Sequence, residues 1–229
     1  MKYPPLVAGR FVRRVNRFRV TVKVDGDPVD AHLPNSGRLT ELLTPDRACW
    51  LKRATSPGRK TGFDLKLVAY AGTLVSVDAR LPNPLVGEAL KAGRLAPFQA
   101  CETFEREVVL GGSRIDFRLA MPDGALWLET KSVTLVESGV ARFPDAPTAR
   151  GSRHVRELVR SVEEGMRAAV VFVVQRSDAR AFMPHDGADP VFGEALRTAA
   201  AVGVDVLAWT CRVTLDGIAI AEEIPVELG

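Results

Sequence analysis

Residues 113–131 read Ser-Arg-Ile-Asp-Phe-Arg-Leu-Ala-Met-Pro-Asp-Gly-Ala-Leu-Trp-Leu-Glu-Thr-Lys, and their spacing is that of two strands joined by a turn. Ile115, Phe117 and Leu119 alternate with Arg114, Asp116 and Arg118, the period of a strand with one buried face. Pro122-Asp123-Gly124 supplies the turn, because proline presets φ and glycine accepts φ > 0. On the second strand Leu126 and Leu128 share one face, while Trp127, Glu129 and Lys131 share the other. A hairpin brings Asp116, Glu129 and Lys131 together. Two carboxylates offer oxygen ligands to a hard divalent cation. Such a cation activates water and stabilises charge on a phosphate, and an ammonium steadies the nucleophile or the developing charge. A solvated strand face crossed by an ion pair produces the same letters. The surroundings favour the metal reading. Glu102, Glu105 and Glu107 lead into Val108-Val109-Leu110, which can pair with the Asp116 strand, and a helix and another strand follow.

Downstream, residues 136–148 read as a long polar loop. Residues 152–166 read as a helix, with Val155, Leu158, Val159, Val162 and Met166 on one face. Residues 168–174 are almost wholly apolar, as expected of a parallel strand buried on both sides. A helix over 189–201 and a strand over 204–209 complete a mixed sheet covered by helices.

Upstream, Leu81-Pro82-Asn83-Pro84 is the expected domain boundary, since two prolines in four residues resist regular structure. Before it the chain reads as short strands: Val20, Val22 and Val24 alternating, an Asp25-Gly26 hairpin turn, then 28–33, 49–53, 65–70 and 74–78. A short helix is expected over 38–43, capped by Asn35 or Ser36. Residues 56–62 read as a basic, flexible loop. This pattern predicts a five-stranded barrel of the OB type over 1–83, a fold that often binds nucleic acid, and a second domain over 84–229.

The 229 residues are 46% hydrophobic and 26% charged, ordinary for a globular protein. No apolar run approaches the ~20 residues of a membrane span, and the first residues lack a signal peptide's apolar core. A cytoplasmic location without membrane contact is the expectation. Cys49, Cys101 and Cys211 are odd in number and far apart, which points to buried reduced thiols rather than a zinc site or disulfides. The net charge of +3 hides an asymmetry. Residues 1–83 hold 15 Lys and Arg against 7 Asp and Glu, and the remainder holds 16 against 21. A basic first third suits a polyanion or an unspecific solvated surface. Arg10, Arg13, Arg14, Arg17 and Arg19 cluster there, with Phe11 and Phe18 between them; core positions are the expectation for both rings.

Five ordered blocks then identify a relative. They are 31–37 (Ala-His-Leu-Pro-Asn-Ser-Gly), 114–117 (Arg-Ile-Asp-Phe), 129–135 (Glu-Thr-Lys-Ser-Val-Thr-Leu), 143–151 (Phe-Pro-Asp-Ala-Pro-Thr-Ala-Arg-Gly) and 174–176 (Val-Gln-Arg). With these the chain resembles the sugar fermentation stimulation protein family over nearly its whole length. The resemblance implies an N-terminal OB-fold, a C-terminal domain of the PD-(D/E)XK nuclease type, and DNA binding. It makes Asp116 and Glu129 the carboxylates for Mg²⁺ or Mn²⁺, Lys131 the motif lysine and Glu107 the auxiliary acid. Ile115 stands where a proline is usual before the motif aspartate. Gln175 is either a polar neighbour of the lysine or a strand-end cap. Arg150, Arg153 and His154 can reach the scissile phosphate, or pair with Asp145 and Glu157. His32 has a structural hydrogen bond as its default role.

Two functional readings follow. The first is a DNA-binding protein of low sequence specificity, with a nuclease-like domain and a regulatory link to sugar metabolism; no helix-turn-helix, zinc finger or basic zipper is visible. The second is an active Mg²⁺- or Mn²⁺-dependent nuclease, favoured because binding alone needs no Asp116, Glu129 and Lys131 constellation.

Overall fold

The computed structural model describes residues 1–56 and 58–229; Pro57, inside the basic 56–62 loop, lies outside the described residues. Six strands come first: β1 (Leu6–Asn16), β2 (Arg19–Val24), β3 (Asp27–His32), β4 (Ala48–Arg53), β5 (Phe63–Tyr70) and β6 (Thr73–Ser76). Asp25 and Gly26 both take positive φ, so the Asp-Gly pair makes the tight hairpin turn its sequence predicts. The sheet runs β3-β2-β1-β4-β5-β6, and a parallel pairing of Ala31 with Phe63 and His32 with Asp64 closes β1–β5 into a five-stranded OB-type barrel. Phe11, Val20, Val22, Leu51 and Leu65 fill it. The short helix expected over 38–43 is a single turn, because Leu39 takes φ +53 and accepts from the amides of both Leu42 and Leu43.

The second half starts at the two prolines. Instead of an irregular linker they open α1 (Pro82–Lys91), where a missing N–H costs nothing at the first turn. Then come β7 (Thr103–Leu110), β8 (Ser113–Met121), β9 (Gly124–Val133), β10 (Leu135–Glu137), β11 (Val140–Phe143), α2 (Ala149–Glu163), β12 (Arg167–Val174), β13 (Ala181–Pro184), α3 (Pro190–Val202), β14 (Asp205–Val213) and β15 (Ile218–Ile224). The main sheet is ordered β15-β14-β12-β9-β8-β7, with β9, β12 and β14 parallel and the outer pairs antiparallel. Helices α2 and α3 cover one face over Val170, Phe172 and Val174, and α1 covers the other over Ala169, Val171 and Val173. This is the mixed sheet covered by helices that the sequence predicts for the second domain. The segment expected to be a long polar loop contains β10 and β11, which join β13 in a small separate sheet.

The halves are tied together by the Val174-Gln175-Arg176 block. Gln175 is fully buried and accepts from Ser76 Oγ (2.9 Å), while its amide donates to the Asp78 carbonyl (3.1 Å) and to Ser132 Oγ (2.8 Å). Gln175 is therefore a bridge between barrel and sheet rather than a neighbour of the lysine ammonium. Arg176 is also buried; it pairs with Asp178 and lies 5.1 Å over the Tyr70 ring. Residues 2 and 3 cross from the barrel side to pair with the turn between β14 and β15. Cys49 and Cys211 are buried free thiols as expected, whereas Cys101 is only half-buried. No helix among the described residues is long and apolar enough to cross a membrane.

Candidate active site and nucleic-acid surface

The β8–β9 hairpin holds its register from Met121↔Gly124 up to Phe117↔Leu128, and there the pairing stops. The strands part at Asp116 and Glu129. One consequence overturns the simple alternation of β8: Phe117 and Leu119 pack toward α1, but Ile115 packs with α2 on the opposite face. The other is the site itself. Freed from ladder pairing, the Thr130 amide donates to Asp116 Oδ2 (2.8 Å), and so does the Thr130 hydroxyl (2.5 Å). The Asp116 amide points at Glu129 Oε2 (3.4 Å).

Glu129 is 4% exposed and its carboxylate is divided. Oε1 accepts from Lys131 Nζ (2.5 Å) and lies 2.6 Å from His154 Nδ1; Oε2 faces Asp116. Arg150 Nε donates to His154 Nε2 (3.3 Å), which leaves the His154 proton on Nδ1 to donate to Glu129. Arg150, His154 and Glu129 thus form a line that fixes one carboxylate oxygen and leaves the other with only the long Asp116 amide contact. Burial raises the Glu129 pKa, but Lys131 and His154 outweigh it and hold the group below the usual carboxylate range. Asp116 goes the other way: burial, and then the charge of Glu129, push it up.

Glu107 belongs to the same corner. It lies on β7 opposite Asp116, in the one gap of the β7–β8 register, and takes φ +54. A non-glycine residue in this region carries strain of about 1–3 kcal/mol, which surrounding structure must hold. Asn83 donates to both acids, to Asp116 Oδ1 at 3.0 Å and Glu107 Oε1 at 3.4 Å. Thr130 and Asn83 escaped the sequence reading. Thr130 sits inside the Glu-x-Lys motif and Asn83 inside a supposed linker, and neither type carries chemistry by itself.

The donor set suits a hard divalent cation, being carboxylate oxygens beside a hydroxyl and backbone. Among the described residues no three His, Cys, Asp or Glu side chains already converge as a cage. Asp116 and Glu129 are the pair, with Glu107 exposed at the rim.

The arginines fare differently from one another. Arg14 is half-buried, and its guanidinium donates to the carbonyls of Asn16, Gly37, Arg38, Arg17 and Asn35. It organises the 34–38 loop and has no donor free for a phosphate, a correction to its expected role. Arg10 donates to the Asp46 carbonyl but is exposed, as are Arg13, Arg17 and Arg19. Phe11 is core as expected, but Phe18 is not: it is 46% exposed, with Arg17 5.3 Å over its ring and His32 beside it at 6.3 Å. Arg59 and Lys60 line the same hollow. On α2, Arg150 and Arg153 are exposed, whereas His154 is 3% exposed and faces inward to Glu129. A buried imidazole is not a direct nucleic-acid contact, so His154 moves from that group to the acidic site.

The chain matches the profile described as Sugar fermentation stimulation protein RE domain over residues 80–217, and that of the SfsA N-terminal OB domain over 12–77. A sugar fermentation stimulation protein homolog of Desulforamulus reducens is 44% identical over 225 residues, covering 98% of this chain and 94% of the relative. The homolog of Chloroflexus aurantiacus is 46% identical over 222 residues, covering 97% and 86%. The solved structure of Pyrococcus furiosus SfsA in complex with Ca²⁺ aligns with a TM-score of 0.92 at 32% identity, over 99% of this chain and 98% of that one.

Proposed function

The chain belongs to the sugar fermentation stimulation protein family, and on that premise we propose that it is a DNA-binding protein of low sequence specificity that hydrolyses phosphodiester bonds with a divalent cation. One observation carries the reading: the divided Glu129 carboxylate, Oε1 held by Lys131 and His154 and Oε2 met only by the long contact from the Asp116 amide at 3.4 Å. A merely solvated strand face would not bury both the acid and the lysine. Asp116 and Glu129 would hold Mg²⁺ or Mn²⁺; the Ca²⁺ bound by the Pyrococcus furiosus relative supports an oxygen-ligated cation. The cation supplies an acidified water and a counter-charge for the phosphate. Lys131, which bonds Glu129 Oε1, would offer a further ammonium N–H to the attacking water or the phosphate, and His154 keeps Glu129 oriented. The exposed Arg13, Arg17 and Arg19 offer phosphate contacts, and Phe18 offers a face for a base.

The test is incubation of wild type and Lys131→Ala with single-stranded, duplex and branched DNA in Mg²⁺, Mn²⁺ or EDTA. Metal-dependent cleavage that falls about 10²–10³-fold in the variant, with DNA affinity nearly unchanged, is the expected result. Binding without cleavage in every condition would leave a DNA-binding protein with an idle acidic site.

A further inference from the structure

A cleft of about 250 Å³ lies between the barrel loop 35–37 and the segments 130–135 and 142–148 of the second half. It sits at the carboxyl ends of the parallel strands β9 and β12, where open α/β sheets place their ligands. Lys131 belongs both to this cleft and to the acidic site, since it lines the one and bonds Glu129 in the other. The walls are pinned together. Gly37 has no Cβ, and a Cβ there would strike the Asp145 carboxylate. Asp145 in turn accepts from the Leu39 amide at 3.3 Å, and Arg14 holds the carbonyls behind the loop.

We propose that this cleft receives one nucleotide of a single DNA strand, adjoining the phosphate that is cut. The proposal rests on the nuclease reading for the cut but not for the binding. The chemistry of the lining suits a nucleotide: Arg17 and Lys131 supply positive charge, while Arg142 is paired with Glu137 at 2.9 Å and the Asp145 carboxylate is turned to the Leu39 amide; Ser36, Thr134 and Thr148 supply hydroxyls for sugar and base edges, and Phe143 with its prolines supplies apolar surface. The size limits what enters. At about 250 Å³ the cleft has room for no more than one nucleotide, so a paired strand can place a base there only by unpairing it, at a cost in stacking and pairing energy. A single strand or a frayed end enters without that cost.

The test needs no turnover. Full-length protein in EDTA is titrated with 2′-deoxyadenosine 5′-monophosphate by calorimetry or NMR, beside Ser36→Trp and Arg17→Glu. Both positions are exposed, so folding is preserved, and melting curves check it. The expected result is binding to wild type, weakened at least tenfold by each variant, with inorganic phosphate a poor competitor. No binding at millimolar nucleotide, or binding indifferent to both variants, overturns the proposal. Oligonucleotide cleavage beside absent mononucleotide binding would overturn the cleft and leave the nuclease standing. Mononucleotide binding without any cleavage would support the cleft and overturn the nuclease.

Discussion

Barrel and sheet each bury a lysine against a carboxylate, and the two clusters have opposite balances. In the barrel, Lys66 pairs with Asp78, Arg80 adds a second cation to the same carboxylate (2.7 Å), and Arg59 holds the neighbouring Asp64 at 2.5 Å. Burial raises the Asp78 pKa, but Arg80 and Lys66 overrule it and hold the group low. In the sheet, Lys131 faces Glu129 with Asp116 and Glu107 close by, so acids outnumber the ammonium, and Asp116 is pushed up. A buried carboxylate cluster whose cations outnumber its acids is a fastening. One with surplus negative charge would be relieved by a bound cation, because burying like charges together is unfavourable without one.

Asp78→Ala tests the fastening. It strands the Lys66 ammonium in the interior, and the expected loss is about 3–5 kcal/mol, read as a fall in the denaturant midpoint. A loss under about 1 kcal/mol would show that the barrel cluster is no more than surface pairing. His154→Ala tests the sheet cluster. Releasing Glu129 Oε1 should weaken cation affinity and cleavage about 10–100-fold, with partial rescue by His154→Gln, while thermal stability moves little. Equal loss in both variants would make His154 a packing residue.

On the proposed function, the barrel's contribution comes from its outside, at Phe18. Phe18→Ala should weaken single-stranded DNA binding about tenfold, the lower part of the ~1–3 kcal/mol that base stacking supplies, without changing turnover of bound substrate. A change in turnover instead would join the two regions functionally. The smallest effect is expected at Asp116. Its raised pKa means that the unfolded chain ionises this group at lower pH than the folded protein does. Stability is therefore lost as pH rises from the unfolded pKa to the raised folded one, and stays lowered above it. Asp116→Asn, measured in EDTA at neutral pH, should melt about 2–4 °C higher, roughly 1 kcal/mol for a chain of this size. The gain should vanish in acid, where neither protein is charged there. A variant that melts lower at neutral pH would deny the surplus charge.

What the sequence revealed and concealed follows the range of the interactions. Period-two alternation and the Asp25-Gly26 turn are local, so the strands of the barrel and of the β8–β9 hairpin were legible. The apolar 168–174 run announced a central strand because burial on both faces leaves no polar positions. Asp116, Glu129 and Lys131 were legible through type and spacing. The parting of β8 from β9 was not, because it depends on α2 and β7 packing from elsewhere. Residues 38–43 carried a helical pattern that lost to tertiary demand, with Leu39 buried at positive φ. Phe18 and His154 exchanged their expected surroundings for the same reason: alternation assigns a face to a residue, and only the assembled neighbours decide whether that face is covered.

The pairing of residues 2 and 3 with the turn before β15 sets the order in which this protein can be finished on the ribosome. Lys2 bridges to Gly217, and the Tyr3 amide donates to the Asp216 carbonyl at 2.8 Å. Residues 2 and 3 must wait for residues 216 and 217 to be made. The barrel strands can assemble early from contacts among themselves, since domains fold as units during synthesis. Its leading segment stays undocked until the second half has formed, and a ribosome stalled short of residue 216 would carry a barrel whose first residues have nothing to close upon.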